Sequence, residues 1–236
     1  MRSAALEWNR ELAKLGQPVD RLEWVMTPQT VNAYYNPELN EIVFPAAILQ
    51  PPFLDPDAED AVNYGAIGAV IGHEISHAFD DQGSQYDGEG NLRDWWTRED
   101  HKKFQARTRM LVRQYNRYSP LPGYHVNGAL TLGENIADIA GTAVALKAYR
   151  LSLDGRPSPV IDGFTGEQRF FMGWGQVWRT KMREPMQIML LKSDPHSPGR
   201  FRTNGALKNQ AEFHRAFGVK PGDGMYLAPK ARISIW

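Results

Sequence analysis

Two histidines set four residues apart are the strongest chemical signal in the sequence. His73 and His77 enclose Glu74 in a segment that reads His-Glu-Ile-Ser-His. Four residues advance an α-helix by about 400°, so both imidazoles project from one face and can bind one metal ion. This geometry suits zinc, and Glu74 beside the pair is placed to act as a general base. The alternative is a pair of structural histidines that bind nothing.

A second pair of residues supplies what the histidines lack, because a catalytic zinc site needs a third protein ligand and an open position for water. Glu134 and Asp138 also lie four residues apart, in a stretch that is otherwise almost wholly apolar. Buried carboxylates need a cation or hydrogen-bond donors, so this pattern favours a metal site over a solvated acidic face. We expect Glu134 to bind zinc and Asp138 to accept the proton on the far nitrogen of a ligating histidine.

Composition narrows the class of protein. The 236 residues include 27 Lys+Arg and 27 Asp+Glu, so no basic surface for nucleic acid is expected. The absence of cysteine excludes disulfides and thiolate metal ligands. No apolar run approaches the roughly 18 residues that cross a bilayer, and residues 1–15 lack the continuous apolar core of a signal peptide. A globular domain that binds metal through His and carboxylate groups is expected.

Helices predominate among the elements that would position these residues. We predict a β-hairpin over residues 29–44 and one long helix from Asp57 to Phe79, which carries both histidines. Further helices are predicted from Thr97 to about Tyr118, from Leu132 to Leu151, from Glu167 to Lys181, from Pro185 to Leu191 and from Ala206 to Phe217. The expected fold is a helix-rich α+β zincin, with a small sheet beside the His73/His77 helix and a cleft between that helix and the Glu134 helix.

Four sequence motifs resemble, in the same order, those of the neprilysin and endothelin-converting-enzyme family of zinc endopeptidases, most closely its bacterial members. The motifs are Val31–Tyr35, Val70–Asp81, Gly133–Asp138 and His196–Arg202. The resemblance covers essentially the whole chain. One departure is the end of the sequence, Ile233-Ser234-Ile235-Trp236, which keeps the Trp but lacks the Cys of animal members.

The resemblance implies roles for the two helical motifs. His73, His77 and Glu134 would bind one zinc ion per chain, Glu74 would be the general base, and Asp138 would orient a ligating histidine. Asp80 and Asp81, directly after the predicted helix, are interpreted either as acids that support a ligand or as a polar cap of the helix end.

Substrate-binding residues are implied by the same resemblance. Asn32 and Ala33 would pair with the substrate backbone as an added strand. Arg202 would hold a substrate carbonyl, and His196 would donate a hydrogen bond to the developing oxyanion. The pocket for the side chain after the cleaved bond would be lined by apolar residues: Ile48, Phe53, Ala69, Val70, Val177 and Trp178. Cleavage on the N-terminal side of hydrophobic residues is therefore expected.

Residues 1–236 are expected to form a single zinc metallopeptidase catalytic domain, without the large helical region that closes over the active site in family members. The expected partners are peptide or unfolded protein substrates, and a second copy bound through the uncovered cleft face. The compartment of the chain is left open, and an extracytoplasmic or secreted location is expected for a full-length bacterial parent. The competing class is a zinc-binding module without turnover, which a peptidase assay distinguishes.

Overall fold

The computed structural model describes residues 2–236 and consists mainly of helices, with one small two-stranded sheet. The helices are α1 (Arg2–Ala13), α2 (Asp60–Asn63), α3 (Ala69–His77), α4 (Arg98–Tyr115), α5 (Leu132–Ser152), α6 (Gly166–Val177), α7 (Glu184–Ser193), α8 (Gly199–Leu207) and α9 (Ala211–Phe217). Strands β1 (Tyr34–Asn36) and β2 (Glu41–Val43) pair antiparallel and contact α3. The predicted helix-rich α+β class is confirmed. Among the described residues, no helix combines the length and apolar character of a membrane span.

The helix that carries the histidines differs in detail from the prediction. It begins at Asp60 rather than Asp57, because the Glu59 side chain accepts a hydrogen bond from the N–H of Ala61 at 3.2 Å and caps α2. A π-helical turn, Tyr64–Gly68, then leads into α3. Such a turn changes the backbone hydrogen-bond pattern from i+4 to i+5, and the α-helical spacing of side chains gives no signal for it.

Helices α3 and α5 pack more extensively against each other than any other pair among the described elements. Gly72 and Gly141 make this possible, since a Cβ added at Gly72 would lie 2.6 Å from the carbonyl oxygen of Gly141. The glycines that lower helix propensity therefore permit a close backbone approach. His73 follows Gly72 on α3, and Glu134 and Asp138 lie on α5. The contact thus sets the distance between the predicted ligands.

Two hydrophobic clusters hold this helix pair in place. The first contains the fully buried Phe170 and Trp174 of α6, together with Tyr149 near the end of α5. The second contains Leu111 of α4 and Ile136 of α5, which are also fully buried. Helix α5 contributes residues to both clusters, and α3 contributes Ala69 and Val70 to the first. Because close-packed interiors deform little, the two helices are held rigidly.

The C-terminal helices correct one prediction. The single helix expected from Ala206 to Phe217 is wrong, since the chain forms α8 and α9 with a break between them. Helix α8 was missed because Gly199 and Gly205 lower its helix propensity and Pro198 precedes it. Gly218 ends α9 in the left-handed conformation, with φ of 62°, as expected for a terminal glycine.

The remaining helix and strand ends agree with the predicted ones in some places and differ in others. Thr97 caps α4 by accepting the N–H of Asp100 at 3.1 Å, and Thr165 caps α6 in a capping box with Gln168. Helix α6 ends at Val177 rather than Lys181. Strand β1 begins at Tyr34, so residues 32–33 lie just before the strand and not within it.

Candidate metal centre and active site

The side chains of His73, His77 and Glu134 converge on one point. The two Nε2 atoms are 3.0 Å apart, and Glu134 places Oε2 3.2 Å from His73 Nε2 and Oε1 3.6 Å from His77 Nε2. Ligands about 2.1 Å from a tetrahedral zinc ion are separated by about 3.4 Å. The spacing and the two-nitrogen, one-carboxylate donor set therefore fit one zinc ion.

Both imidazoles are oriented through their other ring nitrogen. His73 Nδ1 donates to Asp138 Oδ1 at 2.8 Å, and His77 Nδ1 donates to Asp80 Oδ2 at 2.7 Å. A carboxylate can only accept a hydrogen bond, so each neutral ring carries its proton on Nδ1 and leaves the Nε2 lone pair for a metal ion.

Asp138 is fully buried, and its charge is compensated by Arg202 of α8. Arg202 donates from Nε to Oδ2 at 2.9 Å and from Nη2 to Oδ1 at 2.7 Å, and its guanidinium carbon lies 3.8 Å from the ring centre of Trp178. Burial acts to raise the pKa of Asp138, but the charge of Arg202 and the His73 hydrogen bond outweigh it and hold that pKa below its ordinary value. Asp138 therefore remains an anion in the interior.

The electrostatic environment differs among His73, Glu134 and Glu74. Burial disfavours a charged His73, but hydrogen bonds to Asp138 and Glu134 raise its pKa to about 9 in the metal-free cluster. Burial also disfavours the charged form of Glu134, yet its contact with His73 holds its pKa well below the ordinary value. Burial raises the pKa of Glu74, the direction required of a base that must later return a proton.

The cluster opens into a cavity of about 430 Å³. Most predicted catalytic and substrate-binding residues line this cavity: Asn32, Ala33, Ile48, Phe53, Val70, Glu74, Trp178, His196 and Arg202. Val177 is not among the lining residues, and its buried side chain lies in the adjacent hydrophobic cluster together with Ala69. The apolar lining residues Ile48, Phe53, Val70 and Trp178 all belong to or pack against the first hydrophobic cluster, and they share the cavity with the polar groups of the metal cluster.

His196 reaches the cluster from the loop before α8. Its side chain is 43% exposed, its Nε2 lies 3.2 Å from Glu134 Oε2, and its Nδ1 lies 2.6 Å from Asp194 Oδ1. The neighbouring Ser197 is buried and donates to Asn135 Oδ1 at 2.8 Å, which fixes the loop to α5. Sequence reasoning did not identify this Ser197–Asn135 link, although both residues belong to the motifs it singled out.

An HExxH helix packed against a second helix that supplies the glutamate ligand is the arrangement of a zinc metallopeptidase. Comparison with known proteins agrees, since residues 32–233 match the sequence model of Peptidase family M13. The chain belongs to this family, which includes neprilysin and endothelin-converting enzyme.

Individual relatives show the same relationship. The chain is 44% identical over 240 residues to human endothelin-converting enzyme 1, covering 100% of this chain and 31% of that protein. It is 42% identical to Drosophila melanogaster Neprilysin-3, covering 95% of this chain and 29% of that protein. The inhibitor complex of Mycobacterium tuberculosis zinc metalloprotease Zmp1 has a TM-score of 0.97 at 60% identity, over 98% of this chain and 36% of that chain. The sequence therefore spans about a third of the length of these relatives.

Proposed function

We propose that this chain carries the catalytic centre of a zinc-dependent endopeptidase that cleaves peptide bonds on the N-terminal side of hydrophobic residues. The observation that carries the proposal is the convergence of His73, His77 and Glu134 at a cavity that Glu74 also lines. Membership of a peptidase family supports the same reaction. One zinc ion per chain would be held by the three convergent side chains.

Glu74 acts as the general base and then as the acid in this proposal. Zinc, when bound, polarises the peptide carbonyl and lowers the pKa of the attacking water. Glu74 takes the proton from that water and passes it to the leaving amine. Its buried position at the cavity and its raised pKa support both transfers, because a base with too low a pKa would hold the proton too weakly.

Two cationic or polar groups would stabilise and align the substrate. His196 lies beside Glu134 at the cavity and would donate a hydrogen bond to the oxyanion, a contribution of about 3 kcal/mol for one donor. Arg202 would hold a substrate carbonyl from the cavity wall while it keeps Asp138 in place. The backbone of Asn32 and Ala33, just before β1, would pair with an extended substrate.

The apolar side of the cavity supports the preference for hydrophobic residues. Ile48, Phe53, Val70 and Trp178 line it together, and an apolar side chain gains by leaving water there. Val177 would act behind this wall, through its packing in the hydrophobic cluster that includes Val70.

The experiment is digestion of a mixed peptide library by the purified chain, with cleavage sites read by mass spectrometry. We expect cleavage before hydrophobic residues, its loss on treatment with a chelator, and its return on addition of zinc. Zinc binding without cleavage would contradict the proposal and support a non-catalytic zinc module. Phe53→Ala should relax the selection of hydrophobic residues. Phe79→Ala is the matched control, since Phe79 is exposed and is not among the residues that line this cavity.

A further inference from the structure

One carboxylate, that of Asp80, holds both a histidine of the metal cluster and a turn in the cavity wall. Its Oδ2 accepts from His77 Nδ1 at 2.7 Å. Its Oδ1 accepts from the backbone N–H groups of Gln82 at 2.7 Å and Gly83 at 2.8 Å. The side chain of Asp80 is almost fully buried, and both Gln82 and Gly83 line the cavity that contains Glu74.

The backbone reinforces this connection. Gly83 packs directly on the carbonyl group of His77, where an added Cβ would find no room. The N–H of Ser84 donates to the carbonyl oxygen of Asp80 at 3.2 Å. The turn therefore folds back onto the end of α3, and Asp80 lies at the point where the turn and the helix meet.

We propose that Asp80 is a positioning residue that couples the orientation of His77 for metal binding to the order of the turn at residues 82–83. This inference rests on the proposed zinc site and goes beyond it. When a metal ion binds His77, the ring is fixed and the Asp80 carboxylate that accepts its proton is fixed with it. The turn that donates to the same carboxylate then becomes more ordered. The coupling is reciprocal, so substrate contacts that order the turn strengthen metal binding.

The substitution Asp80→Asn separates the two roles because an amide has one acceptor and one donor end. With its oxygen on the backbone N–H groups, the amide would present N–H to His77 Nδ1 and force the ring proton onto Nε2. That tautomer cannot bind a metal ion through Nε2, so metal binding would first have to displace the proton or turn the amide, which weakens it. In the opposite orientation the amide nitrogen would face two N–H donors. Asp80→Ala removes both roles, and the isosteric Asn variant guards against a simple failure of Asp80→Ala to fold.

Asp81→Asn is the matched control, because it removes the same charge one residue along the chain. Asp81 Oδ2 accepts from the Gln82 side chain at 2.9 Å. Among the described residues, the imidazole of His77 contacts Asp80, His73 and Glu134 rather than Asp81. Any general effect of a lost negative charge near the cluster should therefore appear in this variant as well.

Two measurements on the whole chain test the proposal: zinc affinity by competition with a chromophoric chelator, and amide hydrogen exchange of residues 80–86 with and without zinc. Relative to Asp81→Asn, Asp80→Asn should bind zinc about 10- to 100-fold more weakly while the turn stays protected. In the wild type zinc should slow exchange in the turn, and in Asp80→Ala this effect should disappear.

Two results would overturn the inference: Asp80→Asn and Asp81→Asn with equal zinc affinity, or a turn in Asp80→Ala that zinc protects as in the wild type. Both leave the proposed function intact. A wild-type chain that binds no zinc would instead overturn the proposed function, so the two failures are distinguishable.

Discussion

The two histidines of the metal cluster are supported in opposite ways. Asp138, which orients His73, is 65 residues distant in sequence, lies on another helix and pairs with the buried Arg202. Asp80, which orients His77, is three residues away, and its second oxygen accepts two backbone N–H groups. The same orienting contact is therefore made once through tertiary packing and once through local chain geometry.

The orientation of His73 depends on the packing of distant helices, whereas that of His77 depends on the local fold of the chain. The His73 side exists only when α3, α5 and α8 are packed together, because the three members of the His73–Asp138–Arg202 chain come from three helices. A buried ion pair contributes little net stability, but loss of one partner leaves an uncompensated charge. The His77 side needs only the end of α3 and the turn after it. We therefore expect variants on the first side to affect folding and variants on the second to affect mainly metal binding.

The largest effect is expected from Arg202→Met. In the metal-free protein this change removes the arginine partner of the buried Asp138 and should lower the free energy of unfolding by about 3–5 kcal/mol. Arg200→Met is the matched control, since Arg200 is exposed on the same helix and its loss should cost about 0.5 kcal/mol or less. Urea denaturation measures both, and equal losses for the two variants would contradict the role of the ion pair.

The same variant has a predicted pH dependence. Asp138 has a lowered pKa in the folded wild type, so its contribution to stability is present above its unfolded pKa of about 3.9 and is lost as the pH falls through the folded value. The stability difference between wild type and Arg202→Met should therefore shrink as the pH is lowered below about 4. A difference that grows on acidification would show that the sign is wrong.

Gly72→Ala tests the helix contact on which the His73 side depends. The added Cβ would lie 2.6 Å from the Gly141 carbonyl oxygen, so overpacking should lower the free energy of unfolding by about 1–3 kcal/mol and weaken zinc binding. Gly68→Ala is the control, because its Cβ would meet neighbours at 3.5 Å or more. Thermal unfolding and zinc titration should rank Gly68→Ala close to the wild type, and the reverse ranking would refute the argument.

Loss of a direct zinc ligand should weaken zinc binding more than loss of a residue that only orients a ligand. Glu134→Ala should nearly abolish tight binding, whereas Asp138→Ala should weaken it by about 10- to 100-fold, since Asp138 acts through His73. Competition with a chelator measures both constants. Equal affinities for the two variants would mean that Asp138 acts on the metal ion directly or that Glu134 does not.

The smallest effect on stability is expected from a substitution far from both Asp138 and Asp80. Thr97→Ala removes the cap of α4, where the Thr97 hydroxyl accepts the N–H of Asp100, and should lower the free energy of unfolding by about 1 kcal/mol. Zinc affinity should not change, because α4 contributes no residue to the cluster. A loss of zinc binding here would show that the site responds to any decrease in stability, and the comparison of the two supports would lose its meaning.

The same contrast explains how much of the site could be predicted from the sequence. Helical spacing is a local property, so it identified His73 with His77 and Glu134 with Asp138, and the structure places three of these four at one point. The three-residue interval between His77 and Asp80 offered a weaker local signal. The contact of Arg202 with Asp138 spans 64 residues and depends on α8, which the sequence did not predict. Contacts made by tertiary packing leave no such local pattern.

The fold shows the same division between local and distant causes. The start of α5 at Leu132 and the start of α4 at Thr97, its N-cap, follow from side-chain periodicity and capping chemistry, and both helix starts were predicted. The π-helical turn Tyr64–Gly68 and the late start of β1 at Tyr34 have no such local signal in the sequence, and neither was predicted.

The most direct test of the proposed function is a paired measurement on Glu74→Gln, with His73→Ala as the reference for ligand loss. Gln keeps the size of Glu74 but cannot accept the proton. Zinc content should therefore remain near one ion per chain while peptide cleavage falls by several orders of magnitude. A Glu74→Gln chain that loses zinc as completely as His73→Ala, or that keeps its zinc and still cleaves at the wild-type rate, would contradict the role of Glu74 as the base.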